Sequence, residues 1–226
     1  MRLFYATVAF TARCLFRSFY GVKLTGAKNV PLEGALLICS NHRSNLDPPL
    51  IGAFLSREVH YFAKAELFSN RFGGGFLRKL NAFPVKRGQF DKSAMSACMK
   101  ILGHGEALVF FPEGTRAPAD GFLEPKFGAG WVLAKTKVTV LPVYLHGTGT
   151  AKQFGLPRPQ LEIVFGDPIP VERLLANTPE NKEGYQEISN RILDAIRTTS
   201  LRTTVRRIES PGAIHERDVI EDEKLR

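Results

Sequence analysis

Short apolar runs recur along the chain, each closed by polar or turn-forming residues, at positions 35–40, 59–63, 82–86, 108–111, 138–144 and 161–165. Continuous apolar stretches of this length predict strands buried on both faces. Between them lie helical patterns at 49–55, at 67–80 with Gly73-Gly74-Gly75 interrupting it, and at 92–102 behind Asp91 as a cap. A longer helical pattern covers 184–207, and Pro211 opens a charged tail reaching Arg226. Strands alternating with helices predict an α/β fold, a single domain with a mixed, largely parallel sheet flanked by helices. A chain of 226 residues has room for one well-buried domain of this kind. The expected organisation is an N-terminal helical segment at 1–28, the α/β domain at 29–208 and a tail at 209–226. Residues 23–34 read as a connector, with turns at Gly26, Pro31 and Gly34.

Composition narrows the partners. The net charge of +9 favours anions: a phosphorylated small molecule, an anionic membrane surface or nucleic acid. Helix-turn-helix and RNA-binding signatures are missing from the sequence, so nucleic acid is not expected. Cys14, Cys39 and Cys98 are too far apart for metal-ligand or redox spacing, and an odd count argues against a disulfide framework. A reducing compartment is the natural reading. No metal site is expected, because no two of the five histidines stand at ligand spacing. No cofactor is expected either.

The N-terminal segment is basic and aromatic, with Arg2, Arg13, Arg17, Lys23 and Lys28 and no acidic residue before Glu33. Its uncharged run from Leu3 to Ala12 is far short of the roughly twenty residues that span a bilayer. On a helical wheel Phe4, Tyr5, Val8, Leu15, Phe16 and Phe19 share one arc, with the arginines beside it. Such a helix either lies in a membrane interface or packs its apolar arc on the domain. Each basic group near anionic lipid adds roughly 1 kcal/mol to the first alternative.

Candidate chemistry sits at the ends of two predicted strands. The first is Asn41-His42-Arg43-Ser44-Asn45-Leu46-Asp47-Pro48. A spacing of five puts His42 and Asp47 on different faces of a continuous helix, whereas across a strand-to-helix turn they can converge. Converged, they form a general base with its orienting carboxylate, and no Ser or Cys nucleophile comes with them. The alternative is that Asp47 only caps a helix and His42 only closes a strand. The second candidate is Phe110-Phe111-Pro112-Glu113-Gly114-Thr115-Arg116, polar groups again placed where a strand gives way to a loop.

His-x4-Asp in its Asn-His-x-Ser-x-x-Asp-Pro setting, followed about seventy residues on by Phe-Pro-Glu-Gly-Thr-Arg, resembles the glycerolipid acyltransferase family. Ala82-Phe83-Pro84-Val85-Lys86-Arg87 and Leu141-Pro142-Val143 resemble two weaker blocks of that family, in the same order. Within the family the motifs are most similar to those of the bacterial 1-acyl-glycerol-3-phosphate acyltransferases, and the resemblance runs over residues 29–166. One departure is Asn81, where many members carry glycine.

The resemblance implies transfer of a fatty acyl group from acyl-CoA or acyl carrier protein to the sn-2 hydroxyl of lysophosphatidate, at a membrane surface. It implies His42 as the base and Asp47 as its partner. Arg87 and Arg116 are expected on the acceptor's phosphate, with Lys64 and Lys126 as further contacts, and Glu113, Gly114 and Thr115 shaping the acceptor site. Glycerol 3-phosphate or another lysophospholipid remains open as the acceptor. Two readings from outside this chemistry also stay open: a thioester hydrolase, and a non-enzymatic module that binds anionic lipid. Gly73-Gly74-Gly75 lacks the Gly-Lys-Ser/Thr ending of a phosphate loop, and no Gly-x-Ser-x-Gly elbow marks a serine hydrolase.

Overall fold

The computed structural model describes residues 2–86, 90–118, 121–150 and 160–209, the side chains of 203–209 apart. The tail from Pro211 and the cation Arg87 lie outside the described residues. The strands are β1 (Gly21–Thr25), β2 (Leu36–Ser40), β3 (His60–Lys64), β4 (Ala82–Val85), β5 (Ala107–Phe110), β6 (Thr139–His146) and β7 (Gln160–Phe165). They form one sheet in the order β1-β7-β6-β2-β5-β3-β4. Every pairing is parallel except β6 with β7.

The helices are α1 (Leu3–Phe19), α2 (Asp47–Phe54), α3 (Arg71–Lys79), α4 (Lys92–Gly103), α5 (Gly128–Thr136), α6 (Val171–Leu175) and α7 (Lys182–Glu209). They cover both faces of the sheet. On β2, Leu36 and Ile38 face a core made with Phe16 of α1 and with Leu50, Ile51 and Phe54 of α2. Leu37 and Cys39 face the opposite core, built with Met95 and Cys98 of α4, Leu133 of α5 and Ile192 of α7. A strand covered on both sides has no reason to alternate apolar with polar, which explains the continuous runs.

One local reading of the sequence is corrected. Residues 23–25 are not part of a connector but complete strand β1, whose short run beside Gly26 and Lys28 carries little apolar signal. Gly128, Ala129 and Gly130 open α5, and Gly130 passes close to α7. A Cβ there would lie 2.0 Å from the Tyr185 carbonyl oxygen.

The block that starts at Ala82 is entered through Asn81, whose φ of 64° is left-handed. That conformation favours glycine, and asparagine is among the side chains that best tolerate it. The departure from glycine therefore leaves the backbone path intact. Here the Asn81 amide also donates to Glu58 at 2.9 Å and accepts from Arg2, which ties the chain's start to β4. A second tie joins α1 to β3, where the Tyr5 and Tyr61 hydroxyls lie 3.0 Å apart.

Asp91 caps α4 by accepting from the Ser93 and Ala94 amides, and it also accepts from the Lys86 amide. Its Asp91→Ala variant should lose about 1 kcal/mol of stability at neutral pH in chemical denaturation. The Ser93 hydroxyl first, and then the Lys86 amide, hold the carboxyl down at about 2. A depressed folded pKa means stability present above the ordinary carboxylate value near 4 and lost as pH falls toward 2. The gap between wild type and variant should therefore narrow over that window.

Candidate active site

The carboxyl ends of β2, β3, β4 and β5 lie along one edge of the sheet, and the loops that carry His42 and Glu113 leave from that edge. Ligand sites in open α/β sheets form at such an edge. The β2 loop carries His42, and after four residues α2 begins at Asp47. Asp47 does not cap α2 through its side chain. Its Oδ2 instead turns back and accepts from His42 Nδ1 at 2.8 Å and from the Arg43 and Ser44 amides at 2.7 Å each. The two side chains converge across the turn, with Asp47 wholly buried and His42 nearly so. A carboxylate at Nδ1 fixes the tautomer with the proton there, leaving Nε2 as the basic nitrogen.

The loop after β5 clamps the same turn. The Phe111 ring stacks on the imidazole, with centroids 4.2 Å apart and planes 23° apart. Glu113 accepts from the His42 amide at 3.3 Å and from the Leu123 amide at 3.1 Å, one bond to each oxygen. The Ala117 amide donates to the His42 carbonyl at 2.7 Å. Glu113 is 1% exposed, and burial raises its pKa while the two amides and His42 pull it down. With both oxygens spent on backbone, this carboxylate stands behind the site and shapes it. Gly114 makes the tight path possible at a φ of 67°.

Asn41 anchors the other side. Its amide donates to the Leu145 carbonyl at 2.9 Å and accepts from the Leu145 amide at 2.8 Å, joining the end of β2 to β6. The Ser40 hydroxyl bonds the Asn41 carbonyl and the Ser44 hydroxyl accepts from Leu46, so both are engaged locally. Burial pushes the Cys39 thiol well above its ordinary value, which disfavours the thiolate a nucleophile needs.

His42 lines a cavity of about 860 Å³. Its walls are largely apolar, with Phe62, Leu77, Leu80, Val85, Met95 and Phe110 among them. Among the described residues Lys64, Lys86 and Lys126 are its cations, and Asp91 is the carboxylate lining it. The structure thus brings together His42, Lys64, Gly114 and Lys126 from the expected set. Thr115 and Arg116 are exposed and do not line the cavity. Sequence reasoning missed Phe111, Ala117 and Lys86 as parts of the site. The pairing of Cys39 with Phe110 in the β2–β5 register would have placed Phe111 beside His42, but register is invisible in a single chain.

Comparison with known proteins agrees with this construction. The family described as Acyltransferase matches residues 21–146. A 1-acyl-sn-glycerol-3-phosphate acyltransferase of Bacillus subtilis (strain 168) is 30% identical over 182 residues, 76% of this chain and 90% of that protein. The protein of that name from Streptococcus pneumoniae is 30% identical over 158 residues, 69% of this chain and 57% of its own length. The crystal structure of the 1-acyl-sn-glycerophosphate acyltransferase PlsC from Thermotoga maritima shares the fold with a TM-score of 0.70. It is 22% identical, and the match covers 88% of this chain and 79% of that one. Its α/β domain, its motif loops at one sheet edge and these matches together assign the protein: the chain belongs to the acyltransferase family.

Proposed function

We infer that the protein transfers a fatty acyl group from an acyl thioester to the sn-2 hydroxyl of 1-acyl-glycerol 3-phosphate, giving phosphatidate. The observation that carries this reading is the buried His42–Asp47 pair set in the wall of a large apolar cavity rimmed by lysines. An apolar cavity suits an acyl chain, a lone base suits an alcohol that must lose a proton, and lysines suit a phosphate. The names of the relatives favour lysophosphatidate as the acceptor.

In the proposed reaction His42 Nε2 takes the proton of the acceptor hydroxyl as its oxygen attacks the thioester carbonyl. Asp47 stabilises the imidazolium that results. The tetrahedral intermediate collapses with loss of the thiolate, which recovers the proton from His42. The new ester bond replaces the thioester bond, and the products are phosphatidate and free thiol. A thioester is activated enough that no acyl-enzyme is needed. Lys64, Lys86 and Lys126 are the described cations placed to meet phosphate, with Arg87 and Arg116 as proposed additions from their motifs.

Among the described residues no helix is long and apolar enough to cross a membrane. Helix α1 packs Tyr5 and Phe16 on the domain and leaves Leu3, Phe4, Phe10, Leu15 and Phe19 exposed. Packing on the domain accounts for Tyr5 and Phe16, and the exposed residues leave an apolar outer face for the membrane alternative. We propose that its outer face rests on the cytoplasmic leaflet, where the acceptor resides and a thioester donor is available.

The test is purified protein with lysophosphatidate in detergent and either palmitoyl-CoA or palmitoyl-acyl carrier protein, following thiol and phosphatidate together. Equal amounts of both, dependent on acceptor, are expected with at least one donor. Thiol and free fatty acid released without acceptor would contradict the reading and indicate a hydrolase.

A further inference from the structure

Helix α3 and the 3-10 turn before it, Ala65–Phe68, form one wall of the cavity through Leu67, Phe76, Leu77 and Leu80. Two of these, Leu67 and Phe76, are also about half exposed on the outside of the protein. A side chain that both lines a cavity and faces outward marks its mouth. Phe72, one turn before Phe76, is 89% exposed and does not line the cavity. An aromatic ring held that far into solvent by a regular helix serves no folding purpose.

The wall adjoins α1. Gly74 alone of its three glycines packs inward, against the Phe68 backbone, while an added Cβ on Gly73 or Gly75 would meet no close packing. Phe76 meets Phe4 of α1 edge-on at a centroid distance of 6.0 Å, so the exposed apolar residues of the two helices adjoin. Around them stand the exposed cations Lys64, Arg71, Arg78 and Lys79, with Glu66 as the single acid between residues 64 and 80. Lys79 lies over the Phe4 ring at 5.6 Å and Arg78 over Phe68 at 5.0 Å, charged ends beside apolar bodies.

We propose that α3 is a second membrane contact and the port of the cavity: Phe72 sits among lipid chains, and an acyl chain passes between bilayer and cavity beside Leu67 and Phe76. Charge selects the occupant. Apolar tips ringed by cations suit the interface of an anionic bilayer, and the cavity that opens between them is apolar enough to take a lipid tail. The proposal rests on the acyltransferase reading for its substrate, but its membrane contact can be measured separately.

The experiment compares wild type, Phe72→Asp and Phe72→Leu on two forms of acceptor. One is long-chain lysophosphatidate in vesicles of phosphatidylcholine and phosphatidylglycerol. The other is hexanoyl lysophosphatidate dispersed as monomers. Phe72→Asp is expected to lose tenfold or more of the vesicle rate and to co-sediment less with vesicles, while matching wild type on monomers. Phe72→Leu should behave as wild type on both. A vesicle rate unchanged in Phe72→Asp, or equal losses on vesicles and monomers, would overturn the proposal. If wild type acts on neither acceptor, the functional reading fails, and co-sedimentation alone then decides the role of α3. Equal vesicle binding by wild type and Phe72→Asp would overturn it.

Discussion

Replacing His42 by alanine should lower kcat by about 10²–10⁴ with KM for either substrate little changed, because general base help of that size is removed from the transition state. The fold should persist. The backbone of residue 42 is held by Glu113 and by the Ala117 amide, neither of which uses the imidazole. Asp47 keeps its bonds from the Arg43 and Ser44 amides. The losses on the structural side are the Nδ1 hydrogen bond to Asp47 and the stacked contact with Phe111. Circular dichroism and a thermal melt close to wild type, beside a collapsed phosphatidate assay, are the expected pair of results. A variant retaining more than about a tenth of the wild-type kcat would remove His42 from the chemistry.

The second large effect is expected at Asp47, where Asp47→Asn should cost both rate and stability. Oδ2 collects three donors, so the amide oxygen of asparagine takes that place. The amide nitrogen is then left where Oδ1 lies, buried and without a hydrogen-bond partner. An unpaired buried donor costs about 1–3 kcal/mol, which a denaturant titration resolves. The rate effect has a different origin. A neutral partner no longer stabilises the imidazolium, and a fall of order 10²–10³ in kcat is expected. Stability loss without rate loss would make Asp47 a scaffold of the turn and nothing more.

Much of this site was legible because its residues are local. His42 and Asp47 share one loop, and the requirement that a spacing of five converge only across a turn follows from helix geometry alone. The apolar runs at β2, β5, β6 and β7 were equally plain, since both their faces are buried. What the sequence could not convey was the use of each polar group. Glu113 looks like a surface ligand in a loop, yet the approach of two distant amides turns it inward. Arg116 ends a specific motif but is exposed and does not line the cavity, whereas Lys86, one residue before a motif's end, lines it. The apolar arc of α1 was divided for the same reason. Which of its aromatics meet the domain depends on where α2 packs, and that is a tertiary fact.

In the proposed mechanism His42 activates the acceptor's own hydroxyl, and no acyl group passes through the protein. Intact-protein mass spectrometry of wild type mixed with palmitoyl-CoA, sampled before and after addition of lysophosphatidate, tests it most directly. An unmodified mass is expected at every time point, with thiol appearing only once acceptor is present. A palmitoylated protein that forms before the acceptor is added, and is cleared by it as phosphatidate appears, would contradict the account.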